Sequence, residues 1–208
     1  MKTFTSIKNS TDKKNILRIL SDINDGIFGS QRKISKQLGI SAGLANSYVK
    51  RCLKKGWIKL QTVPKRRYIY YLTPKGFIEK SKLTAEYLSS SFSLYRNMRE
   101  DCLKILTKCK KKKQKIVLYS ASELSEVFIL TAKEINFEFC GVIIPNSKLK
   151  SFFDIKVLPK ITKKDLKIEI IIVCDIENSY DTYLKLKKFF PKKEIIVPKI
   201  LNIKKGVI

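Results

Sequence analysis

Between Gln31 and Thr73 the chain places two short helical faces ahead of two β-rich runs, an order that few folds accommodate. Ile34 and Leu38 lie one helical turn apart and lead into Gly39-Ile40-Ser41. A second apolar face follows at Ala45, Val49, Cys52 and Leu53, and Gly56 stops it. Trp57-Ile58-Lys59-Leu60 and Tyr68-Ile69-Tyr70-Tyr71-Leu72 read as strands rich in β-branched and aromatic residues, with Pro64-Lys65-Arg66-Arg67 as a basic turn between them. Upstream, Thr11 or Asp12 is a candidate cap for a supporting helix carrying Ile16, Leu17, Ile19, Leu20 and Ile23, closed by Asp25-Gly26. Ser30 and Ser41 offer side-chain oxygens to the starts of the next two helices. The pattern predicts a winged helix-turn-helix.

A helix that enters the major groove needs small or polar side chains on one face while the other face holds the core. With Ala45, Val49 and Cys52 inward, the outward set is Ala42, Gly43, Asn46, Ser47 and Lys50. Asn46 is the best base reader, because its amide pairs with adenine at two points; Ser47 serves several edges, and Ala42 fits a thymine methyl. Arg32, Lys33, Lys50, Arg51 and Lys54 suit phosphates, which set register without carrying sequence. Lys65, Arg66 and Arg67 at the wing tip reach toward flanking backbone or the minor groove. Ser30, Gln31 and Ser41 at the helix starts complete the expected DNA-binding set. The structural alternative for the wing tip is a solvated turn.

Charge agrees with that partner through its distribution more than its size. The chain of 208 residues carries a formal +26, and residues 1–114 hold 27 basic against 7 acidic side chains, while residues 115–208 hold 17 against 11. A field of this sign draws polyanions, and binding through it weakens steeply with salt. Coding drift in an A/T-rich genome also enriches Lys and Ile, so net charge alone decides little. Five cysteines without a C-x-x-C pair, and no histidine, leave the usual zinc sites unbuildable. They read as reduced thiols of a cytoplasmic protein. Met1 to Ser10 lacks the apolar core of a signal peptide, and no apolar run approaches the roughly 20 residues that span a bilayer, so no membrane partner is expected.

After the wing, Thr73-Pro74 starts a helix whose apolar set Ile78, Leu83, Tyr87, Leu88, Phe92, Tyr95, Met98, Cys102, Ile105 and Leu106 carries it towards Cys109. Ser89-Ser90-Ser91 is a place where it could bend. Such a helix outgrows one small domain, and a second copy is an economical partner for its stripe, giving a homodimer; packing on the C-terminal domain of its own chain is the alternative. Lys110–Lys113 reads as a solvated linker, with phosphate contact as the other reading.

Beyond Gln114 strands and helices alternate: strands at Lys115–Tyr119, Phe137–Ile144, near Ile155–Leu158, Ile168–Cys174 and Glu194–Val197, and helices at Ser122–Ile135 and Tyr180–Phe190. Ile170-Ile171-Ile172-Val173 has the continuous apolarity of a strand covered on both faces, as in a parallel sheet. The expected architecture is an α+β winged helix-turn-helix domain (1–73), a long dimerisation or linker helix (74–110), a basic linker (111–114) and a small α/β Rossmann-like parallel-sheet domain (115–208).

Ser30-Gln31-Arg32-Lys33-Ile34-Ser35-Lys36-Gln37-Leu38-Gly39-Ile40-Ser41, Leu53-Lys54-Lys55-Gly56-Trp57-Ile58-Lys59, Tyr70-Tyr71-Leu72-Thr73-Pro74-Lys75-Gly76 and Lys80-Ser81-Lys82-Leu83-Thr84 resemble MarR-type winged-helix regulators. The resemblance covers about residues 11 to 105 and points to the branch associated with exopolysaccharide clusters. It implies dimeric binding to double-stranded DNA and control of polysaccharide or surface-glycan genes.

In the C-terminal part, Tyr119-Ser120-Ala121-Ser122-Glu123-Leu124-Ser125 occupies the strand-to-helix turn where dinucleotide folds carry G-x-G-x-x-G, with serine at each glycine position. Helix N–H groups and serine hydroxyls there can still meet an anion, and Ser120 with Glu123 also fits a capping box. The second strand ends without an acid to hold a ribose hydroxyl, which removes support for NAD. Asp175 closes the fourth strand, either toward a ligand crevice or as a helix cap. Ser120, Ala121, Ser122, Glu123, Ser125 and Asp175 are therefore the candidate ligand set. Residues 115 to 201 are similar to the N-terminal Rossmann-like domain of nucleotide-sugar acyltransferases, which implies a nucleotide or nucleotide-sugar effector, a small anionic metabolite. Beyond that effector, the residues single out no cofactor. The groups an enzyme converges for proton transfer or nucleophilic attack are missing, so the reading is a sequence-specific transcriptional regulator and not an enzyme. The competing reading is a nucleotide-sugar or dinucleotide-binding protein or enzyme that uses its winged helix as an assembly surface.

Overall fold

Helix α1 spans Lys2–Asn24 and so begins well before Thr11 or Asp12, the expected caps. Neither proline nor glycine interrupts residues 2–10, and Asp12 is engaged sideways with the third helix, which leaves it no capping role. The computed structural model describes residues 2–26, 31–63, 67–159 and 168–202. They divide into two units, Met1–Phe92 and Ser93–Ile208.

In the first unit α1 is followed by α2 (Gln31–Leu38), α3 (Ala42–Lys54), the strands β1 (Ile58–Val63) and β2 (Arg67–Leu72), and the start of α4 (Pro74–Lys111). Ile16, Ile19, Leu20 and Ile23 of α1 meet Ile34 of α2, Ala45, Tyr48, Val49 and Cys52 of α3, and Ile58 and Leu83 in one core. Burial of each Ile, Leu or Val side chain among them contributes roughly 1.5 to 3 kcal/mol, and this fixes which face of α3 turns outward. Helix α3 ends in a Schellman arrangement. Gly56 at φ +70° donates to the Leu53 carbonyl at 2.9 Å, and Trp57 donates to that of Cys52 at 3.0 Å. The hairpin is antiparallel in the register Ile58↔Leu72 through Val63↔Arg67.

The Leu-Thr-Pro-x-Gly segment joins hairpin to helix. The Thr73 hydroxyl lies 2.7 Å from the Gly56 carbonyl and 3.1 Å from that of Trp57, and it accepts the Gly76 N–H at 3.0 Å, so one side chain caps α4 and bonds the turn after α3. Gly76 sits so close to that turn that a Cβ would lie 1.9 Å from the Trp57 carbonyl oxygen. Helix α4 then runs unbroken through Ser89-Ser90-Ser91, where the Ser90 hydroxyl donates to the Tyr87 carbonyl within the helix.

In the second unit β3 (Ile116–Tyr119), α5 (Glu123–Glu134), β4 (Gly141–Ile143), β5 (Ser151–Phe152), β6 (Ile155–Leu158), β7 (Ile170–Val173), α6 (Ser179–Phe189) and β8 (Glu194–Ile196) follow in order. The sheet runs β5-β6-β4-β3-β7-β8, all neighbours parallel except the β5–β6 pair. Alternate residues of its strands enter two different cores. Ile116, Leu118, Ile170 and Ile172 pack with α5 and with Cys102, Leu106 and Cys109 of α4, whereas Val117, Ile171 and Val173 pack with Leu186 of α6. The second expected strand is shorter than its apolar run, since Phe137 N–H is taken by the Ala132 carbonyl and Phe137 and Phe139 stack edge to face instead of pairing. Lys110–Lys113 is exposed along its length, but its first half is not linker: Lys110 and Lys111 close α4 directly after the buried Cys109, Lys112 and Lys113 turn, and Gln114 and Lys115 lead on to β3.

Candidate nucleic-acid interface

Ser41 opens α3 with an extended backbone and accepts the Leu44 N–H at 3.3 Å, so the recognition helix starts where the sequence places it. With Ala45, Tyr48, Val49 and Cys52 buried, Gly43, Ser47, Lys50 and Lys54 form the outermost row at helical spacing. Ala42 and Leu44 are also exposed. Asn46 sits on the flank of this row, half-buried, so Ser47 is the more openly presented polar group. The sequence reading omitted Leu44, which is 43 % exposed beside Ala42 and offers an apolar contact to a thymine methyl. Its departure from the 45/49/52 spacing was the available signal.

Tyr48, and Asp12 in a role other than a cap, also belong to this site. The Tyr48 hydroxyl donates to Asp12 Oδ1 at 2.6 Å and accepts from Asn15 Nδ2 at 3.4 Å. Burial first, and then the hydrogen bond to Asp12, hold the phenol above its ordinary pKa. Arg51, expected on phosphate, pairs with Asp12 Oδ2 at 3.4 Å, and its guanidinium carbon stands 5.9 Å from the Tyr48 ring centre. It remains about half exposed, so the pair is weak and phosphate can compete for it. Lys50 and Lys54 are exposed.

Ser30, Lys65 and Arg66 lie outside the described residues. Gln31, Arg32 and Lys33 are placed in the first turn of α2 and Arg67 at the start of β2, with side chains outside the description. The β1–β2 register closes at Val63↔Arg67 on the side of the wing tip.

The candidate ligand turn of the second unit is occupied by its own bonds. The capping box is formed by Ser122 and Ser125, where Ser120 and Glu123 were expected, because Ser122 takes the extended N-cap conformation while Ser120 makes the turn at φ +86°. The Ser122 hydroxyl donates to the Cys174 carbonyl at 2.6 Å, and the fully buried Ser125 hydroxyl donates to the Ser120 carbonyl at 2.6 Å. Ala121 and Glu123 are exposed. Asp175 accepts from Asn178 N–H at 3.0 Å and from the Thr182 hydroxyl at 2.8 Å, which ties it to the start of α6. Tyr119 beside it is held above its ordinary pKa by burial and then by the Asp175 charge. These residues do converge where the strand order reverses beside β3. Among the described residues no group of three or more acidic, cysteine or histidine side chains is arranged to hold a metal.

A buried three-helix face, a capped outward helix and a following hairpin are the parts of one known kind of domain. Residues 13–59 match the winged helix-turn-helix DNA-binding family model. The match covers the second half of α1, all of α2 and α3 and the first residues of β1, and so includes the candidate base-reading row. The winged helix-turn-helix implies double-stranded DNA as a partner and a DNA-binding regulator as the function class. A comparison with curated proteins returns no match for the chain. No helix among the described residues is long and apolar enough to cross a membrane.

Proposed function

We propose that the chain is a sequence-specific transcriptional regulator of the MarR-like, exopolysaccharide-associated kind, acting on DNA in the cytoplasm. The outward row Gly43, Ser47, Lys50 and Lys54 on a helix whose opposite face is locked in the core carries this reading, together with the family match over residues 13–59. Asn46 and Ser47 read bases, Lys50, Arg51 and Lys54 meet phosphates, and Lys65, Arg66 and Arg67 of the wing reach the flanking backbone.

The protein works as a homodimer in this reading. Phe77, Ile78, Leu88, Phe92 and Tyr95 of α4 are all exposed and fall on one broad side of the helix, where a second copy of the same helix would cover them. The second unit serves as a Rossmann-like sensor or contact domain. Its strand order reverses beside β3, the place where open α/β sheets hold ligands, and a nucleotide or nucleotide-sugar is the effector class.

Competition binding tests the central claim. The protein should prefer its own upstream region over random duplex at physiological salt, and Asn46→Ala and Ser47→Ala should relax that preference. Replacing Lys65, Arg66 and Arg67 by alanine should weaken all duplexes alike and flatten the salt dependence. Equal affinity for every duplex would reduce the protein to an architectural binder.

A further inference from the structure

Seven lysines and no acid fall between Lys104 and Lys115, and the fold holds several of them on a rigid outward face. Cys102, Leu106 and Cys109 are buried to 1 % exposure or less in the core shared with β3, β7 and α5, which sets the rotation of α4. Lys104, Lys108 and Lys111 repeat the same i, i+4, i+7 spacing two residues later, about 200° around the helix, and therefore stand on the opposite side. All three are exposed. Lys104 has a loose partner in Glu100 at 3.9 Å, and among the described residues Lys108 and Lys111 have no ion pair. Lys110 differs, since its ammonium donates to the Ile135 carbonyl at the end of α5.

We infer that Lys104, Lys108 and Lys111 form a second DNA-backbone contact, built into the Ser93–Ile208 unit and separate from the winged helix. The inference rests on the reading of the chain as a duplex-DNA binder. Like charges one turn apart cost a helix a few tenths of a kcal/mol each. The helix dipole offsets this for lysines in the last turn but fades before Lys104, nearly two turns from the end at Lys111. A polyanion offsets it for all three. The ammonium groups stand on Cα atoms about 6 and 4.5 Å apart along the helix, and long lysine stems bring such a row onto successive phosphates of one strand. An anionic membrane fits less well, because the apolar side that a surface helix would insert is already buried in the core.

The test is a salt titration of binding to a labelled duplex of the protein's own upstream region, between about 50 and 200 mM salt. The triple variant K104Q/K108Q/K111Q should lower the slope of log affinity against log salt by about 2 to 3, at roughly 0.9 counterion per contact. It should weaken own and random duplexes by the same factor. The single variant Lys108→Gln should lower the slope by about one, which keeps the test open should the triple variant fold poorly. K185Q/K187Q/K188Q, with the same loss of charge on α6, should leave the slope unchanged. A triple variant with the wild-type slope overturns the inference and leaves the DNA reading standing; equal loss in the α6 control overturns it by pointing to bulk charge. Loss of binding to phosphatidylserine vesicles with duplex binding intact also overturns it. A wild-type protein that binds no duplex removes both readings.

Discussion

The Tyr48 hydroxyl donates to Asp12 Oδ1 across 2.6 Å, so the buried side of α3 is tied to α1 by one charge-assisted hydrogen bond. The same carboxylate receives Arg51 on its other oxygen. Tyr48→Phe removes the donor and leaves Asp12 partly desolvated, which should cost about 1 to 2 kcal/mol in urea unfolding. Asp12→Asn should cost a similar amount and, by releasing Arg51, strengthen nonspecific duplex binding. Unchanged stability in both variants would show that packing alone sets α3 against α1.

Gly76→Ala should destabilise the first unit by about 3 kcal/mol, because the new methyl meets the Trp57 carbonyl and the start of α4 must move. Lys75→Ala, one residue earlier and exposed, should stay within about 0.5 kcal/mol. Thermal unfolding of the pair separates a close approach from a general effect at the helix start.

Ser120 adopts φ +86°, a conformation that favours glycine. Ser120→Gly should raise stability by up to about 1 kcal/mol, less the greater chain entropy of glycine. A loss of stability would mean that the Ser120 side chain holds contacts worth more than the strain.

Thiol reactivity should sort the five cysteines by depth. Cys140 is exposed and should react with a disulfide reagent in the native protein, while Cys52, Cys102, Cys109 and Cys174 wait for unfolding. Burial pushes the Cys52 and Cys174 thiols up to about 12. Their folded form favours the protonated state, so the stability they contribute is whole below the ordinary thiol value and is lost as pH climbs from about 9 toward 12. Urea midpoints should fall over that range, and less steeply in Cys174→Ala.

The exposed stripe of α4 predicts a change of mass. Leu88→Glu with Phe92→Glu should convert a dimer to a monomer by light scattering, with the helix content kept because both side chains face outward. A monomeric wild-type protein would sink the dimer.

The expected corrections fall where one residue answers to partners far away in sequence. Asp12 reads as a cap from its neighbours alone, yet Tyr48 and Arg51, some 36 and 39 positions on, claim both its oxygens. Lys110–Lys113 reads as a linker because charge runs are usually solvated, and only the burial of Cys102, Leu106 and Cys109 against β3 and β7 makes its first two residues the end of an anchored helix. Ser122 and Ser125 cap α5 because the turn is made at Ser120, a backbone choice that leaves no mark on periodicity.

Local patterning by itself determined the winged helix-turn-helix, the length of α4 and the alternation of strand and helix after Gln114, since apolar spacing, caps and glycine stops act between residues a few positions apart. The two-sided burial of Ile170–Val173 was legible for the same reason. Tertiary structure decided what those elements face: which sides of α4 are buried and which are left to lysine or to exposed aromatics, and which hydroxyls of the Ser120–Ser125 turn are already bonded. Those outcomes depend on contacts between distant segments, whose free energy exceeds any local preference and is written in no single stretch of the chain.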